Sequence, residues 1–249
     1  MKHKLLQLLG DNARADRTAP AICADASGDV AQVYVYDVID SYWGASAKAL
    51  VEALNAAGAK DVALHINSPG GDVFEARAMV SAVRAHQAKG HTVTAYIDGL
   101  AASAATYLSL AGDAVHIADG GMFMVHNSWT LAWGNKTELR STADLLDRID
   151  GTISADYARK TGATAEQITA WMDAETWFTA AEAKAAGFVD SVIQPPAAAD
   201  SKAARWNLAA YANAPKQAEP AKPTAADIDA HAANVARMNR SRLAALLQN

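Results

Sequence analysis

The chain has 249 residues, 51% apolar and 20% charged, which excludes a disordered or fibrous protein and suits one domain, or one domain with a tail. A formal net charge of -5 without a basic stripe argues against a nucleic-acid-binding protein. The single cysteine, Cys23, excludes an internal disulfide, and we expect it to be a small buried apolar residue.

Residues 1–20 begin with a short apolar run that Gln7 interrupts and charged residues follow. We interpret them as a leader segment on a soluble, cytoplasmic protein. No stretch approaches the roughly 20 apolar residues that span a bilayer, so no membrane contact is expected.

Strand-like and helix-like patterns alternate from residue 33 onwards. Apolar and β-branched runs predict strands at 33–38, 61–66, 92–97, 114–117 and 188–193, with a further apolar run at 122–125. Helical spacing predicts helices at 46–57, 72–88, 101–110, 136–160, 165–172 and 180–186. Such repeated units imply an α/β fold with a mostly parallel sheet.

The composition changes after Gln194, where five of the seven prolines lie among Ala, Lys and Glu. We therefore place a domain at 21–194, a Pro/Ala-rich linker at 195–223 and an amphipathic basic helix at 224–249. This helix either docks on a partner or is a loosely ordered tail.

Three short motifs carry candidate chemistry. The first, INSPGG at 66–71, is a glycine-rich turn before a helix, which suits phosphate or oxyanion binding, or is only a tight turn. The second, GLAASAAT at 99–106, holds Ser103 among small residues, either as a nucleophile or as a helix cap. The third, MFMVHNS at 122–128, holds His126, either as a general base or as a structural histidine.

Together, in this order and at these separations, the motifs resemble those of the Clp-type serine peptidases. The resemblance covers residues 30–194 and includes the closing sequence FTAAEAKAAGFVD at 178–190. It implies a ClpP/crotonase-like fold of repeated ββα units, with the helix at 136–160 as a protruding handle.

The family's roles are carried over to matching positions. Ser103 matches the nucleophile, His126 matches the general base, and the backbone N–H groups of Gly71 and Ala104 match the oxyanion hole. The family's acid is an Asp, whereas the aligned position holds Glu175, with Asp173 two residues earlier as the alternative. No metal or organic cofactor is expected, because the histidines lack ligand spacing.

The diverged regions outside this core resemble the ClpP-like head maturation proteases of tailed phages. That resemblance implies protein substrates, with capsid or scaffold proteins suspected, a homo-oligomeric ring, and action in the cytoplasm or inside an assembling prohead. An AAA+ unfoldase partner is left open.

Several alternatives remain at this point. One is a housekeeping ATP-dependent Clp proteolytic subunit. Others are an inert shell or scaffold component, and a crotonase-like acyl-CoA enzyme, which would need no Ser–His pair. A Ser–Lys peptidase is disfavoured, because Lys136 is poorly placed.

Overall fold

A computed structural model describes residues 21–42, 44–194, 206, 208 and 211–215. The strands in this part of the chain are β1 (Ile22–Asp25), β2 (Ala31–Val35), β3 (Val62–Ser68), β4 (Val93–Ala102), β5 (Ala114–Ala118), β6 (Met122–Val125), β7 (Thr176–Thr179) and β8 (Ser191–Ile193). The helices are α1 (Ala47–Ala57), α2 (Val73–Gln87), α3 (Ala104–Ser109), α4 (Lys136–Thr161), α5 (Ala165–Asp173) and α6 (Ala180–Ala185).

The predicted α/β fold is confirmed. Within the described residues, eight strands form one sheet with the path β1–β2–β3–β4–β5–β8, while β6 pairs with the end of β4 and β7 pairs with β6. The pairs from β2 to β5, and those of β4 with β6 and β5 with β8, are parallel, as strand–helix repeats require. Only β1 and β7 run antiparallel to their neighbours in the described sheet.

Two strands are absent from the sequence prediction, and one predicted helix is too long. Both β1 and β7 have four residues, too few for a clear alternating pattern. Strand β4 continues to Ala102, because Leu100–Ala102 pair with Met122–Met124, so α3 starts at Ala104 rather than at residue 101. Sheet pairing here overrides the helix propensity of alanine.

Helix α4 is the predicted protruding handle. Its first turn carries a capping box between Asn135 and Glu138, and it ends at Gly162 in the left-handed conformation. Its buried residues are Ile149, Ile153 and Tyr157, all in the second half. The first half therefore extends beyond the packed core of the chain.

Cys23 lies exposed on β1, so its predicted burial is wrong. The strand lies at the sheet edge and shows little burial beyond Ile22, which places the thiol at the surface. The predicted leader at 1–20 and the predicted helix at 224–249 lie outside the described residues. None of the described helices is both long and apolar enough for a membrane span.

A compact unit extends to Ala214, past the predicted domain end at residue 194. Within the predicted linker, Trp206, Leu208 and Tyr211 are buried against apolar residues at the end of β4 and in β6. We call the described residues Trp206, Leu208 and Tyr211–Ala214 the tail segment. Its packing was not anticipated, because proline and alanine content indicated an extended linker.

Candidate active site

Ser103 lies at the sharp turn where β4 ends and α3 begins. Its backbone has φ 54° and ψ −126°, a region that non-glycine residues rarely adopt, and its N–H donates to the Met124 carbonyl at 2.9 Å. Its side chain does not cap the helix, so the hydroxyl remains available. A strained strand-to-helix turn that presents a hydroxyl is the geometry of a nucleophile elbow.

The glycines of the INSPGG motif allow the neighbouring loop to touch this turn. A Cβ on Gly70 would lie 2.5 Å from the Ala102 carbonyl oxygen and 2.8 Å from the Ser103 Cβ. A Cβ on Gly71 would lie 2.1 Å from the Ile39 carbonyl oxygen. Both glycines are therefore required by close backbone approach as well as by positive φ.

Gly71 and Ala104, the predicted oxyanion-hole residues, both line the cavity that contains Ser103. Ala104 is the first residue of α3, so its N–H has no partner within the helix. The structure thus brings both backbone positions to the wall of one cavity. Donors beside the nucleophile are what an acyl-transfer oxyanion requires.

His126 follows β6 directly, and its Nε2 lies 2.7 Å from the Ser103 Oγ. Parallel pairing of Ala102 with Met124 brings the ends of β4 and β6 together and so sets this distance. Burial lowers the pKa of His126 from 6.5 to about 4, while the negative charges of Glu175 and Asp150 act in the opposite direction. The ring is therefore neutral near pH 7 and can accept the serine proton.

Glu175 lies beside His126 because of the register between β6 and β7. Val125 pairs with Thr176 in an antiparallel ladder, so the next position places His126 opposite Glu175. Glu175 has φ 47°, and within the described residues only Ser103 shares a positive φ without being glycine. Two strained side-chain-bearing residues thus meet at one site, a pattern typical of functional positions.

Asp173 points to a different partner. Its carboxylate accepts a hydrogen bond from the Asn127 side chain at 2.7 Å. Among the described residues, neither Asp173 nor Glu175 makes a hydrogen bond to His126, although the charge of Glu175 raises the His126 pKa. The charge of Glu175 thus acts on His126, whereas Asp173 is bonded to Asn127.

Tyr211 of the tail segment also enters the site. Its ring packs edge-on against the His126 ring with centroids 5.4 Å apart, and its hydroxyl donates to the Pro69 carbonyl at 2.6 Å. Burial raises the pKa of Tyr211 well above its ordinary value, so the hydroxyl stays protonated. The surrounding sequence gave no signal for this residue.

The cavity around these residues has a volume of about 480 Å³ and is mostly apolar. One wall is formed by apolar side chains of α4, namely Leu145, Leu146, Ile149 and Ile153. Phe74 and Trp129 contribute to its lining. A cavity of this size holds one or more substrate side chains. Within the described chain, no group of three His, Cys, Asp or Glu residues is arranged to bind a metal.

Comparison with known proteins agrees with this geometry. The family model "Clp protease" matches residues 29–196. The chain is 32% identical over 136 residues to the "ATP-dependent Clp protease proteolytic subunit 3" of Streptomyces coelicolor, covering 54% of this chain and 61% of that protein's length. It is 32% identical over 142 residues to the corresponding subunit 2 of Rhodococcus jostii, covering 56% and 71%.

A solved structure of a ClpP1 mutant from Listeria monocytogenes superposes with a TM-score of 0.58. It is 23% identical in sequence, and the match covers 66% of this chain and 91% of that one. The fold is therefore that of ClpP. With the family model matching two thirds of the sequence, the chain belongs to the Clp protease family, whose members are serine peptidases.

Proposed function

We propose that this protein is a serine endopeptidase that uses Ser103 as nucleophile and His126 as general base. The observation that carries the proposal is the 2.7 Å contact between His126 Nε2 and Ser103 Oγ. A neutral imidazole at this distance accepts the hydroxyl proton as Ser103 attacks a peptide carbonyl.

The remaining residues supply the other parts of acyl transfer. The N–H groups of Gly71 and Ala104 hold the tetrahedral oxyanion, and each such donor contributes about 3 kcal/mol to lowering the barrier. His126 then donates its proton to the leaving amine, and water hydrolyses the acyl-enzyme by the reverse sequence. Glu175 is the acid that orients the His126 ring and stabilises the imidazolium, in preference to Asp173.

The finer proposal is a head maturation protease of phage type, a homo-oligomeric ring that processes capsid or scaffold proteins in the cytoplasm or in a prohead. It is supported by the Trp-rich sequence at 129–134 before α4 and by the residues that follow the matched family region. The second candidate is a housekeeping subunit with an unfoldase partner, which is supported by the words "ATP-dependent Clp protease proteolytic subunit" in the names of the relatives from Streptomyces coelicolor and Rhodococcus jostii.

A labelling experiment tests the common activity. Exhaustive treatment of the full-length protein with a fluorophosphonate probe is expected to modify Ser103 and no other serine, as shown by peptide mass spectrometry. Ser103→Ala should remove the label, whereas the control Ser81→Ala, on the exposed face of α2, should retain it.

Absence of labelling in the folded protein, and in folded variants that open the site, would refute the peptidase and leave the inert shell component or the acyl-CoA enzyme. Co-expression with candidate capsid proteins, followed by mass spectrometry for Ser103-dependent cleavage, separates the phage role from the housekeeping one. Light scattering that gives a monomer at micromolar concentration would contradict the ring.

A further inference from the structure

We propose that the tail segment is a built-in inhibitor that occupies the peptide-binding side of the site and engages the acid Glu175. This inference rests on the proposed peptidase function. A substrate would then bind only after the segment has moved away. Three sets of contacts carry the argument.

The first set anchors the segment on the strands that position the catalytic pair. Trp206, Leu208 and Tyr211 are each no more than 8% exposed. They pack with Leu100 and Ala102 of β4, which leads to Ser103, and with Met124 of β6, which leads to His126. The anchor is thus continuous with the site and not a remote surface contact.

The second set places Tyr211 inside the site. The side chain lines the same cavity as Ser103 and His126, and its ring packs at nearly a right angle to the imidazole. Its hydroxyl donates a hydrogen bond to the carbonyl of Pro69, which lies in the loop just before Gly70 and Gly71. A peptide approaching the Ser103 hydroxyl along this loop meets Tyr211 first, because an aromatic ring and a substrate side chain cannot share that volume.

The third set consists of hydrogen bonds between the tail segment and the proposed acid, Glu175. The carboxylate of Glu175 accepts backbone N–H groups from Ala212 at 2.9 Å and from Asn213 at 2.7 Å. The Asn213 side chain adds a bond to the Ala174 carbonyl at 2.7 Å. Two charge-assisted bonds at these distances hold the carboxylate toward the tail, and in the described structure it makes no bond to His126. Release of the tail leaves the carboxylate with the longer bond from the Trp177 side chain, at 3.3 Å, and so allows Glu175 to turn toward the histidine.

The test compares the full-length protein with Tyr211→Ala, and with the control Tyr42→Ala at a side chain that is 87% exposed. The measured quantity is the rate of fluorophosphonate labelling, distinct from its final extent. Tyr211→Ala is expected to label at least about tenfold faster, which corresponds to a loss of about 1.4 kcal/mol from the free energy that holds the tail segment on the site. Tyr42→Ala is expected to label at the wild-type rate. If Tyr211→Ala does not fold, Tyr211→Phe keeps the ring and removes the hydroxyl, with its hydrogen bond to Pro69 and its interaction with the Ser103 side chain. About a twofold to fivefold acceleration is then expected.

A second readout does not depend on catalysis. In a Ser103→Ala background, NMR titration of His126 should show a higher pKa in Tyr211→Ala than with Tyr211 present, because the ring loses cover and Glu175 becomes free to accept its N–H. Equal labelling rates would overturn the inference and leave the peptidase intact. Absence of labelling in every variant would refute the peptidase. The titration would still decide whether the tail segment covers the site, because an unchanged His126 pKa in Tyr211→Ala would overturn the inference.

Discussion

The two sides of the catalytic site are built in different ways. Ser103 and His126 follow the paired ends of two parallel strands, so the topology of the sheet sets their distance. Glu175 lies in the two-residue connection between α5 and β7, with a strained backbone and a carboxylate bonded to the tail segment. The difference indicates that the proposed nucleophile and base are preorganised, whereas the proposed acid depends on whether the tail segment is bound.

Among the experiments that test this difference, the largest effect on activity is expected from removing the charge of Glu175, the proposed acid. In the Tyr211→Ala background, where the tail is expected to compete less, Glu175→Gln should lower kcat/KM for a peptide substrate by about 10²- to 10⁴-fold. The amide keeps the shape of the side chain but loses the charge that stabilises the imidazolium. The matched control is Asp173→Asn, two residues away, which should change kcat/KM less than about threefold, since Asp173 is bonded to Asn127.

The reverse ranking of these two variants would assign the acid to Asp173. Equal activity of Glu175→Gln and its parent would show that the pair works without an acid. Either result would remove the distinction between a fixed pair and a releasable acid.

The same division separates what the sequence predicts from what it does not. Ser103, His126 and the INSPGG turn each follow a buried strand with a clear apolar pattern, so their meeting at one sheet edge follows from a parallel α/β fold. The choice between Glu175 and Asp173 depends on the register of β7, a four-residue strand that no periodicity reveals. The tail contacts depend on three apolar residues within an Ala/Pro-rich stretch, where composition predicts a linker.

A smaller effect, on the free energy of unfolding, is expected from the protonation of His126. Burial lowers the pKa of His126 to about 4 in the folded protein, below its ordinary value of 6.5. The unfolded chain therefore binds more protons between these values, and stability must fall as the pH decreases from 6.5 toward 4. The loss attributable to this residue is up to about 3 kcal/mol.

Urea unfolding at pH 7.5 and pH 4.5 measures this contribution. His126→Gln should lose less stability between the two pH values than wild type, whereas His91→Gln, at a histidine outside the cavity, should retain the wild-type loss. Identical pH dependence in wild type and His126→Gln would mean that the His126 ring is not desolvated in the folded protein.

The smallest predicted effect concerns the strain at the nucleophile. At φ 54° and ψ −126°, Ser103 has a conformation that glycine adopts readily and alanine does not. Ser103→Gly should therefore be more stable to thermal unfolding than Ser103→Ala by about 1 kcal/mol, and neither variant can be labelled, so activity does not enter the comparison. The matched control is Ala101→Gly in the extended part of β4, where the same exchange should cost about 1 kcal/mol because glycine gains freedom in the unfolded chain and a buried methyl group is lost. If alanine proves more stable than glycine at residue 103 as well, the turn stores no strain. The rigid placement of the nucleophile would then come from sheet pairing alone, without a conformational cost at the serine.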